Sequence, residues 1–347
     1  MTTRPAGSTP LPFPKGAALP RLRHDGAVHG HRLVHPHACE KGAPAPRAHP
    51  PVIPIFQVDA FAEKPFAGNP AAVVLDARGL SDQQMQDIAA EMNLAGTAFL
   101  TPARGGEGAP WHLRWFTPKR EVAYSGHTTV AAVHALLEAG RLHGEHVVFE
   151  TMSGPLGASV VADKTRRLIW LEPRVPTLHP FTGQLAHVRE AVGLPAAAGW
   201  AAAVTTPDHD LVIPVAGLDL LRSLRPNMTA LGDAATHAGL RGVCLVSRET
   251  VEPGSTTHSR FFAPHYGIPE DIVTGSVHSS IGLWLLEAGL LRPAGTMVEF
   301  TAEQGDGLGR PGRLRVELLV RDGVVGRVRV GGSAVTVMAG SIARPPA

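Results

Sequence analysis

From residue 55 onwards, apolar and polar positions alternate in short runs, as is typical of half-buried strands. Gly, Pro, Asn and Asp bound most of these runs and supply the turns between them. The predicted strands are 55–61, 71–76, 97–102, 111–116, 146–151, 156–162, 210–216, 242–248, 296–304, 313–320, 324–332 and 334–340. Residues 1–50 show no apolar period and are predicted to be disordered.

Helical spacing of apolar residues is confined to a few segments. One helix is predicted to begin after Ser81, because Ser81 and Gln84 have the spacing of a capping box. Two more are predicted at 184–193, which ends on Gly193, and at 228–239. Many strands with few helices predict an α+β fold.

Two further helices lie in a segment that occurs twice in the chain. RWFTPKREVAYSGHTTVAAVHALLEAGRL begins at Arg114, and RFFAPHYGIPEDIVTGSVHSSIGLWLLEAGLL begins at Arg260. Each copy has an aromatic strand, a turn with Pro, a hydroxyl residue followed by Gly, and an apolar helix ending in LLEAG. The duplication predicts two lobes, each a curled sheet around a central helix, related by a pseudo-two-fold axis.

The two predicted lobes divide the chain unevenly. Residues 1–50 form an extension, 51–153 the first lobe and 154–333 the second, while a final strand at about 334–345 returns to the first lobe. The extension carries seven Lys or Arg against two acidic residues, and the remainder has 25 basic and 28 acidic residues. A body with this charge balance is not expected to bind nucleic acid.

Both central helices begin with residues suited to binding an anion. Ser125 and Thr274 occupy corresponding N-cap positions, where their hydroxyls are expected to accept hydrogen bonds from the first turn. Gly126 and Gly275 follow them and let another group approach the backbone. Each start also presents the positive end of a helix dipole. If both starts face one cleft, a small acid would bind there.

The two starts differ in the residue that could transfer a proton. His127 in the first copy corresponds to Ser276 in the second. The helix dipole should lower the pKa of His127, and a neutral imidazole can exchange a proton with a bound acid near pH 7. Asp271 could orient a histidine or bind the ligand, whereas Glu270 is interpreted as a helix-cap partner.

Cysteine content and apolar run length bear on the compartment. The chain has two cysteines, Cys39 and Cys244, which do not suggest a disulfide framework. No apolar run approaches the roughly 18 residues of a membrane helix, and the N-terminus lacks the apolar core of a signal peptide. We therefore expect a cytoplasmic protein that does not bind membranes. The cluster of histidines and a cysteine at 29–39 is not expected to form a specific metal site.

The motifs of the chain resemble those of the phenazine biosynthesis PhzF-like family, relatives of diaminopimelate epimerase. GNPAAVVLD, MNLAGTAFL, WFTPKREVAYSGHTT, GIPEDIVTGSVH, EQGDGLGRPG and VGGSAVTVMAG occur in the order found there, from Ile55 to Ile342. The resemblance implies a two-lobed epimerase-like fold, a homodimer, and an isomerase that needs no cofactor or metal. Its expected substrate is a small cyclic or unsaturated carboxylic acid, with a role in secondary metabolism.

Site residues follow from the same resemblance. Gly126, His127, Asp271, Gly275 and Ser276 match the residues of the family's pocket, with His127 and Asp271 in the catalytic roles. Together with the two cap hydroxyls and the amide of the early GNP loop, they give the expected substrate-binding set: Asn69, Ser125, Gly126, Thr274, Gly275 and Ser276.

Two departures from the related enzymes bear on the chemistry. Gly96 occupies the position at which the family carries its catalytic Glu, and Ala95 replaces a polar neighbour. Ser125 and Thr274 stand where the epimerase relatives use cysteines, and hydroxyls are poorer bases than thiolates. Three functions therefore remain open: an isomerase that uses His127, a ligand-binding paralogue without catalysis, and an enzyme of altered chemistry such as cyclisation.

Overall fold

A computed structural model describes most of the chain after the N-terminal extension. The described residues are 51–103, 110–142, 144–163, 166–195, 203–206 (backbone only) and 208–346. The predicted disorder and the histidine-rich cluster of residues 1–50 lie outside this part of the chain. No helix within it is long and apolar enough to cross a membrane.

The described residues form eighteen strands and six α-helices. The strands are β1 (Val52–Ala60), β2 (Asn69–Val74), β3 (Gly96–Pro102), β4 (Trp111–Phe116), β5 (Glu121–Val122), β6 (His146–Thr151), β7 (Gly154–Asp163), β8 (Arg166–Leu171), β9 (Thr177–Pro180), β10 (Ala203–Thr206), β11 (Asp210–Pro214), β12 (Gly242–Ser247), β13 (Thr257–Ala263), β14 (Ile268–Asp271), β15 (Met297–Gln304), β16 (Gly312–Arg321), β17 (Val324–Gly332) and β18 (Ala334–Ala343). The helices are α1 (Asp82–Met92), α2 (Gly126–Glu138), α3 (Leu185–Val192), α4 (Leu218–Ser223), α5 (Met228–His237) and α6 (Gly275–Glu287).

Strand pairing runs without a break through both halves of the molecule. The second half pairs in the order β9, β10, β11, β12, β13, β15, β16, β17. Strand β17 then pairs with β8, and the first half continues through β7, β6, β4, β3, β2, β1 and β18. Each half has two parallel pairs among antiparallel ones, and in each pair the strands are connected through helix. This is the mixed sheet of an α+β fold.

The order of pairing has the symmetry that the duplicated segment predicts. In each half the central helix connects a parallel strand pair, β4 with β6 and β13 with β15. Strand β18 leaves the second half to pair with β1, and β9 leaves the first half to pair with β10. Strands β6, β7 and β8 also pair in succession. The lobe boundary near residue 153 stays a prediction.

The central helices are enclosed by strands, as expected. Helix α2 contacts β1, β2, β3, β8 and β18, whereas α6 contacts β9, β16 and β17, and the two helices also touch each other. Nearly every residue of α2 from Gly126 to Leu136 is buried, and α6 is buried in the same way from Gly275 to Leu285 except at Ser276 and Trp284. Burial on all sides explains why neither helix shows a strong amphipathic pattern in sequence.

The duplication extends to pairs of side chains. Arg114 on β4 makes two hydrogen bonds of 2.7 Å to Glu121, and Arg260 on β13 makes two of 2.8 Å to Glu270. These corresponding bidentate pairs fix the short strands β5 and β14 beside the central helices. Our interpretation of Glu270 as a helix-cap partner is therefore wrong, because both of its oxygens bind the guanidinium of Arg260.

A second pair is repeated at the other end of the same strands. His112 Nδ1 lies 2.9 Å from Glu150, and His258 Nδ1 lies 2.8 Å from Glu303. The first pair is about half exposed, with side-chain exposures of 52% and 51%, whereas the second is buried at 2% and 0%. The same His–Glu contact is therefore solvent-exposed in one lobe and buried in the other.

Local predictions hold at the ends of two helices. Ser81 and Gln84 form the capping box that opens α1, and Gly193 ends α3 in the left-handed conformation. The sequence patterns did not reveal β5, β8, β9, β10, β14 or α4, which have two to six residues each. Segments this short have too few periods to stand out from a turn.

Candidate active site

A cleft of about 410 Å³ lies between the starts of the two central helices. Its walls include both N-terminal turns, the end of β4 with the segment that follows it, and parts of β13 and β14. The predicted site residues found on these walls are Ser125, Gly126, His127, Asp271, Thr274, Gly275 and Ser276. Residues more than 140 positions apart in sequence therefore meet at one cleft, as the duplicated segment requires.

Neither N-cap hydroxyl accepts a hydrogen bond from a backbone N–H of the first turn of its helix, so this part of our prediction is wrong. Ser125 Oγ contacts Thr128 Oγ1 instead, and Thr274 Oγ1 donates a 2.6 Å hydrogen bond to Asp271 Oδ2. Without a capping side chain, the N–H groups of both first turns are left for another acceptor. Two uncapped helix starts at one cleft favour the binding of an anion.

The glycines that follow the caps allow close packing at both starts. A Cβ on Gly126 would lie 3.4 Å from the hydroxyl of Tyr124, and one on Gly275 would lie 3.3 Å from the ring of Phe61. Larger residues would push these aromatic side chains away from the helix ends. Each glycine thus keeps the backbone N–H groups close to the cleft.

His127 has the features expected of a group that transfers protons. Its side chain is 8% exposed, and Nε2 is buried without a hydrogen-bond partner among the described residues. Burial lowers the pKa of His127, although the negative charge of Asp271 opposes this effect. The direction matches our expectation, but the cause is desolvation. The imidazole is neutral near pH 7, and its unpaired Nε2 can accept a proton.

Asp271 is held in the cleft by two neighbours. Asn69 Nδ2 donates to Asp271 Oδ1 at 2.8 Å and to the carbonyl oxygen of Val273 at 2.9 Å, while Thr274 Oγ1 binds Oδ2. Asn69 is fully buried and lies behind the cleft rather than on its wall, which differs from its expected place among the ligand contacts. Its amide instead connects the first lobe to the loop that carries Asp271.

Gln304 fixes the same loop from the opposite side. Its side chain is fully buried at the end of β15. The amide nitrogen donates to the carbonyl oxygen of Asp271 at 2.9 Å and to Thr274 Oγ1 at 3.2 Å, and the amide oxygen accepts from the backbone N–H of Thr274 at 3.1 Å. In sequence, Gln304 stands out only as part of the EQGDGLGRPG motif. Gln304 sets the position of both Asp271 and Thr274.

The position of the family's Glu is enclosed by the start of α2. Gly96 opens β3 on the cleft wall, and a Cβ there would lie 3.0 Å from two side-chain atoms of Thr128 and 3.4 Å from His127 Nε2. Thr128 therefore occupies the space next to Gly96 that the first atoms of a Glu side chain would need. The unpaired nitrogen of His127 faces the same point.

Arg241 is a cleft residue that sequence reasoning missed. Its guanidinium donates to Asp210 through Nε at 2.9 Å and to Ser276 Oγ through Nη2 at 2.9 Å, and lies 3.6 Å from Asp208. Burial raises the pKa of Asp210 to about 6, although Arg241 opposes the shift. Arg241 follows α5, which lies outside the duplicated segments, so no sequence pattern marked it as a site residue. It brings a positive charge beside Ser276.

One cluster outside the cleft has metal-ligand chemistry. His258, Glu303 and Asp306 place one ligand atom each within 4.8 Å of one another. Arg313 already pairs with Asp306 at 2.9 Å, and although burial opposes it, hydrogen bonds from His258 and two backbone N–H groups lower the pKa of Glu303 to about 2. Because His112 and Glu150 form the same pair in the other lobe, we interpret this cluster as a structural hydrogen-bonded group.

The fold and the cleft together define an epimerase-like α+β protein with a candidate site between the starts of its two central helices. The family model described as phenazine biosynthesis-like protein, PhzC-PhzF, matches residues 58–340. The chain belongs to this family, as its motifs predicted. The relatives named below are described as isomerases, which supports the isomerase class.

Two curated relatives show the extent of the likeness. An uncharacterized isomerase of Deinococcus radiodurans is 33% identical over 82% of this chain and 92% of its own length. Another from Pseudomonas aeruginosa is 38% identical over 65% of this chain and 78% of its own length. Neither description names a substrate.

Solved structures support the same architecture. The phenazine biosynthesis protein of the PhzF family from Bacillus anthracis superposes with a TM-score of 0.77 at 26% identity, covering 84% of this chain and 99% of its own. A hydroxyproline epimerase from Agrobacterium vitis has a TM-score of 0.56 at 15% identity, covering 85% and 94%. At that identity the second comparison shows the fold alone.

Proposed function

We propose that this protein is a cofactor-independent isomerase that moves a proton on a small cyclic or unsaturated carboxylic acid, in the biosynthesis of a secondary metabolite. The observation that carries the proposal is the buried, unpaired Nε2 of His127 in a cleft lined by two uncapped helix starts. Family membership and the isomerase relatives support the reaction class.

The proposed reaction uses His127 as both base and acid. Nε2 takes a proton from a carbon that is activated by the carboxylate or by a conjugated double bond, and the electron pair of the broken C–H bond spreads into that system. The helix starts at Gly126 and Gly275 stabilise the negative charge that develops on the acid. The imidazolium then returns the proton to another carbon, so that nothing is oxidised or reduced.

Asp271 supports this cycle through its charge. Its carboxylate accepts hydrogen bonds from Asn69 and Thr274 and favours the imidazolium form of His127. Burial and Asp271 therefore act in opposite directions on His127. This balance keeps the imidazole neutral at rest and lowers the cost of protonating it during turnover.

The test is proton exchange with solvent. Wild-type protein is incubated in D₂O with cyclohex-1-ene-, cyclohex-2-ene- and cyclohex-3-ene-1-carboxylate, and the C–H signals are followed by proton NMR. We expect deuterium to enter at least one acid, and His127→Gln to abolish uptake while His112→Gln, outside the cleft, retains it. Equal uptake by His127→Gln and wild type would refute the assignment.

A ligand-binding protein without catalysis is the second candidate, and the surroundings of Gly96 favour it. The family's carboxylate is missing, and Thr128 fills the space beside Gly96. This alternative predicts that the same acids bind in calorimetry and take up no deuterium from solvent.

Restoring the carboxylate discriminates between the two candidates. Gly96→Glu alone brings its Cβ to 3.0 Å from Thr128, so the informative variant is the double change Gly96→Glu with Thr128→Ala. If the double variant gains exchange that the wild type lacks, the cleft is an intact binding site that lost its base. If the wild type already exchanges and loses this activity in His127→Gln, His127 is the base.

A further inference from the structure

We propose that the substrate extends past Tyr124 into a second chamber, and that this chamber selects acids with a second carboxylate. This inference rests on the proposed function, because the first carboxylate is taken to lie between the helix starts. The ligand class is therefore a dicarboxylic acid rather than a simple monoacid.

The second chamber adjoins the cleft. It has a volume of about 350 Å³ and shares with the cleft the residues Ala123, Tyr124, Asp208 and Ser276. Its remaining walls come from the turn between β6 and β7, the segment that follows β8, and one face of α6. A molecule held at the start of α6 therefore has a second cavity directly beside it.

The α6 wall of this chamber carries hydroxyl groups. Ser276, Ser279 and Ser280 have the spacing that places side chains on one face of a helix. Ser279 Oγ donates to the carbonyl oxygen of Ser276 at 2.5 Å, and Ser276 Oγ accepts from Arg241. The hydroxyl of Ser280 makes no hydrogen bond to another described residue, although its side chain is 4% exposed. It is a free donor beside the cavity.

The other lobe supplies an internal comparison. Aligned on the repeat, Ser279 and Ser280 correspond to Val130 and Ala131 of α2, which are fully buried in the core. Strands pack against that face of α2, whereas the corresponding face of α6 borders a chamber. Because the two helices share a frame, hydroxyl groups are not required by packing at these positions, and ligand binding accounts for them.

Tyr124 separates the two spaces and offers a further donor. Its ring packs edge-on against Trp115, with centroids 5.9 Å apart, and its hydroxyl has no hydrogen-bond partner within the described residues. Burial keeps the phenol protonated by raising its pKa. Arg174 also lines the chamber, in which the carboxylate of Glu172 is paired with Arg327 and that of Asp208 lies 3.6 Å from Arg241. Hydroxyl and guanidinium donors suit an oxygen-bearing group, and an apolar substituent would leave them unpaired.

The test compares acids of equal length with one or two carboxylates. Glutarate, adipate, pimelate and suberate are titrated by calorimetry beside the corresponding monocarboxylates. We expect the best-fitting diacid to bind about tenfold more tightly than its monoacid, as one or two charge-assisted hydrogen bonds provide. Ser280→Leu, which narrows the chamber and removes the hydroxyl, should remove this preference.

Two further variants keep the result interpretable. Ser280→Ala removes the hydroxyl without adding volume and should reduce the preference severalfold even if the Leu variant does not fold. Ser223→Ala, on α4 outside both spaces, should behave as wild type.

The possible outcomes separate this inference from the proposed function. Equal binding of monoacids and diacids would refute the proposed role of the second chamber and leave the isomerase proposal standing. A preference that persists in a folded Ser280→Leu variant would also overturn it. If no acid binds, the cleft does not bind carboxylates, and both proposals are refuted.

Discussion

The starts of α2 and α6 share one backbone frame and have different chemistry. Both have an uncapped hydroxyl residue, a glycine, and an i to i−4 hydrogen bond to the N-cap carbonyl, donated by Thr129 Oγ1 in α2 and involving His278 Nδ1 in α6. At the residue after the glycine, however, α2 carries His127 and α6 carries Ser276. The scaffold is symmetric, and the reactive groups are not.

This difference shows which parts of a duplicated unit are free to diverge. The bidentate Arg–Glu pairs and the His–Glu pairs occur in both lobes because they join strands that every copy must join. Residues that face the cleft or the second chamber do not join strands in this way. Among them, His127 and Ser276 are the corresponding positions at which the two copies differ in chemistry.

The largest expected effect comes from making the two starts alike. His127→Ser gives α2 the side chain of α6 and should lower deuterium exchange by about 10²- to 10⁴-fold, the usual contribution of a general acid or base. Ser276→His in the same protein should not restore exchange, because that side chain faces Arg241. Proton NMR in D₂O measures both. Rescue by the second substitution would show that the two starts are interchangeable.

The repeated His–Glu pair allows the two lobes to be compared through the free energy of unfolding. His258→Ala removes the 2.8 Å contact to the buried carboxylate of Glu303, which keeps its backbone N–H donors and Arg313 at 3.9 Å, and should lower the free energy of unfolding by about 3 kcal/mol. His112→Ala breaks the exposed copy and should cost at most about 1 kcal/mol. Urea unfolding of both variants gives the two values. Similar losses would mean that burial does not distinguish the pairs.

The i to i−4 bonds at the helix starts differ in their response to pH. Burial lowers the pKa of His278 to about 4, opposed by the hydrogen bond to Thr274, whereas the equivalent Thr129 does not titrate. The unfolded imidazole binds its proton near pH 6.5, so stability is fully present above that pH and is lost as pH falls towards 4. The loss amounts to about 3 kcal/mol at about 1.4 kcal/mol per pKa unit.

Replacing the titrating group isolates this contribution. His278→Thr gives α6 the residue found in α2, and the free energy of unfolding should then depend less on pH between 4 and 6.5. Chemical unfolding of both proteins at several pH values provides the slopes. The absolute stability of the variant is not diagnostic, since it also loses ring volume. An unchanged slope would assign the pH dependence to other groups.

The sequence predicted what depends on local chemistry and on repetition. The strand pattern, the Ser81 capping box, the Gly193 helix end and the duplicated lobes are all found in the structure. The hydrogen bonds of the cap hydroxyls were predicted wrongly, because Thr274 has a better acceptor in Asp271. Pairs such as Asn69 and Asp271, which are 202 positions apart, leave no local pattern from which to predict them.

The smallest expected effect concerns Gln304, which follows Glu303 as Thr151 follows Glu150 in the other lobe. Gln304→Ala removes three hydrogen bonds that fix Asp271 and Thr274, and should lower the free energy of unfolding by about 2 kcal/mol. Thr151→Ala removes two bonds within an exposed turn, one donated to the carbonyl oxygen of Gly154 and one accepted from the backbone N–H of Ser153, and should cost about 1 kcal/mol.

Exchange kinetics show whether Gln304 positions the site or only stabilises the fold. A positioning role predicts that Gln304→Ala slows deuterium uptake under conditions in which the protein remains folded, because Asp271 and the start of α6 lose their shared support. Thr151→Ala should exchange at the wild-type rate. If Gln304→Ala is destabilised and yet exchanges at the wild-type rate, the amide serves the fold alone. The asymmetry of the site would then reside in the residues that line the cleft.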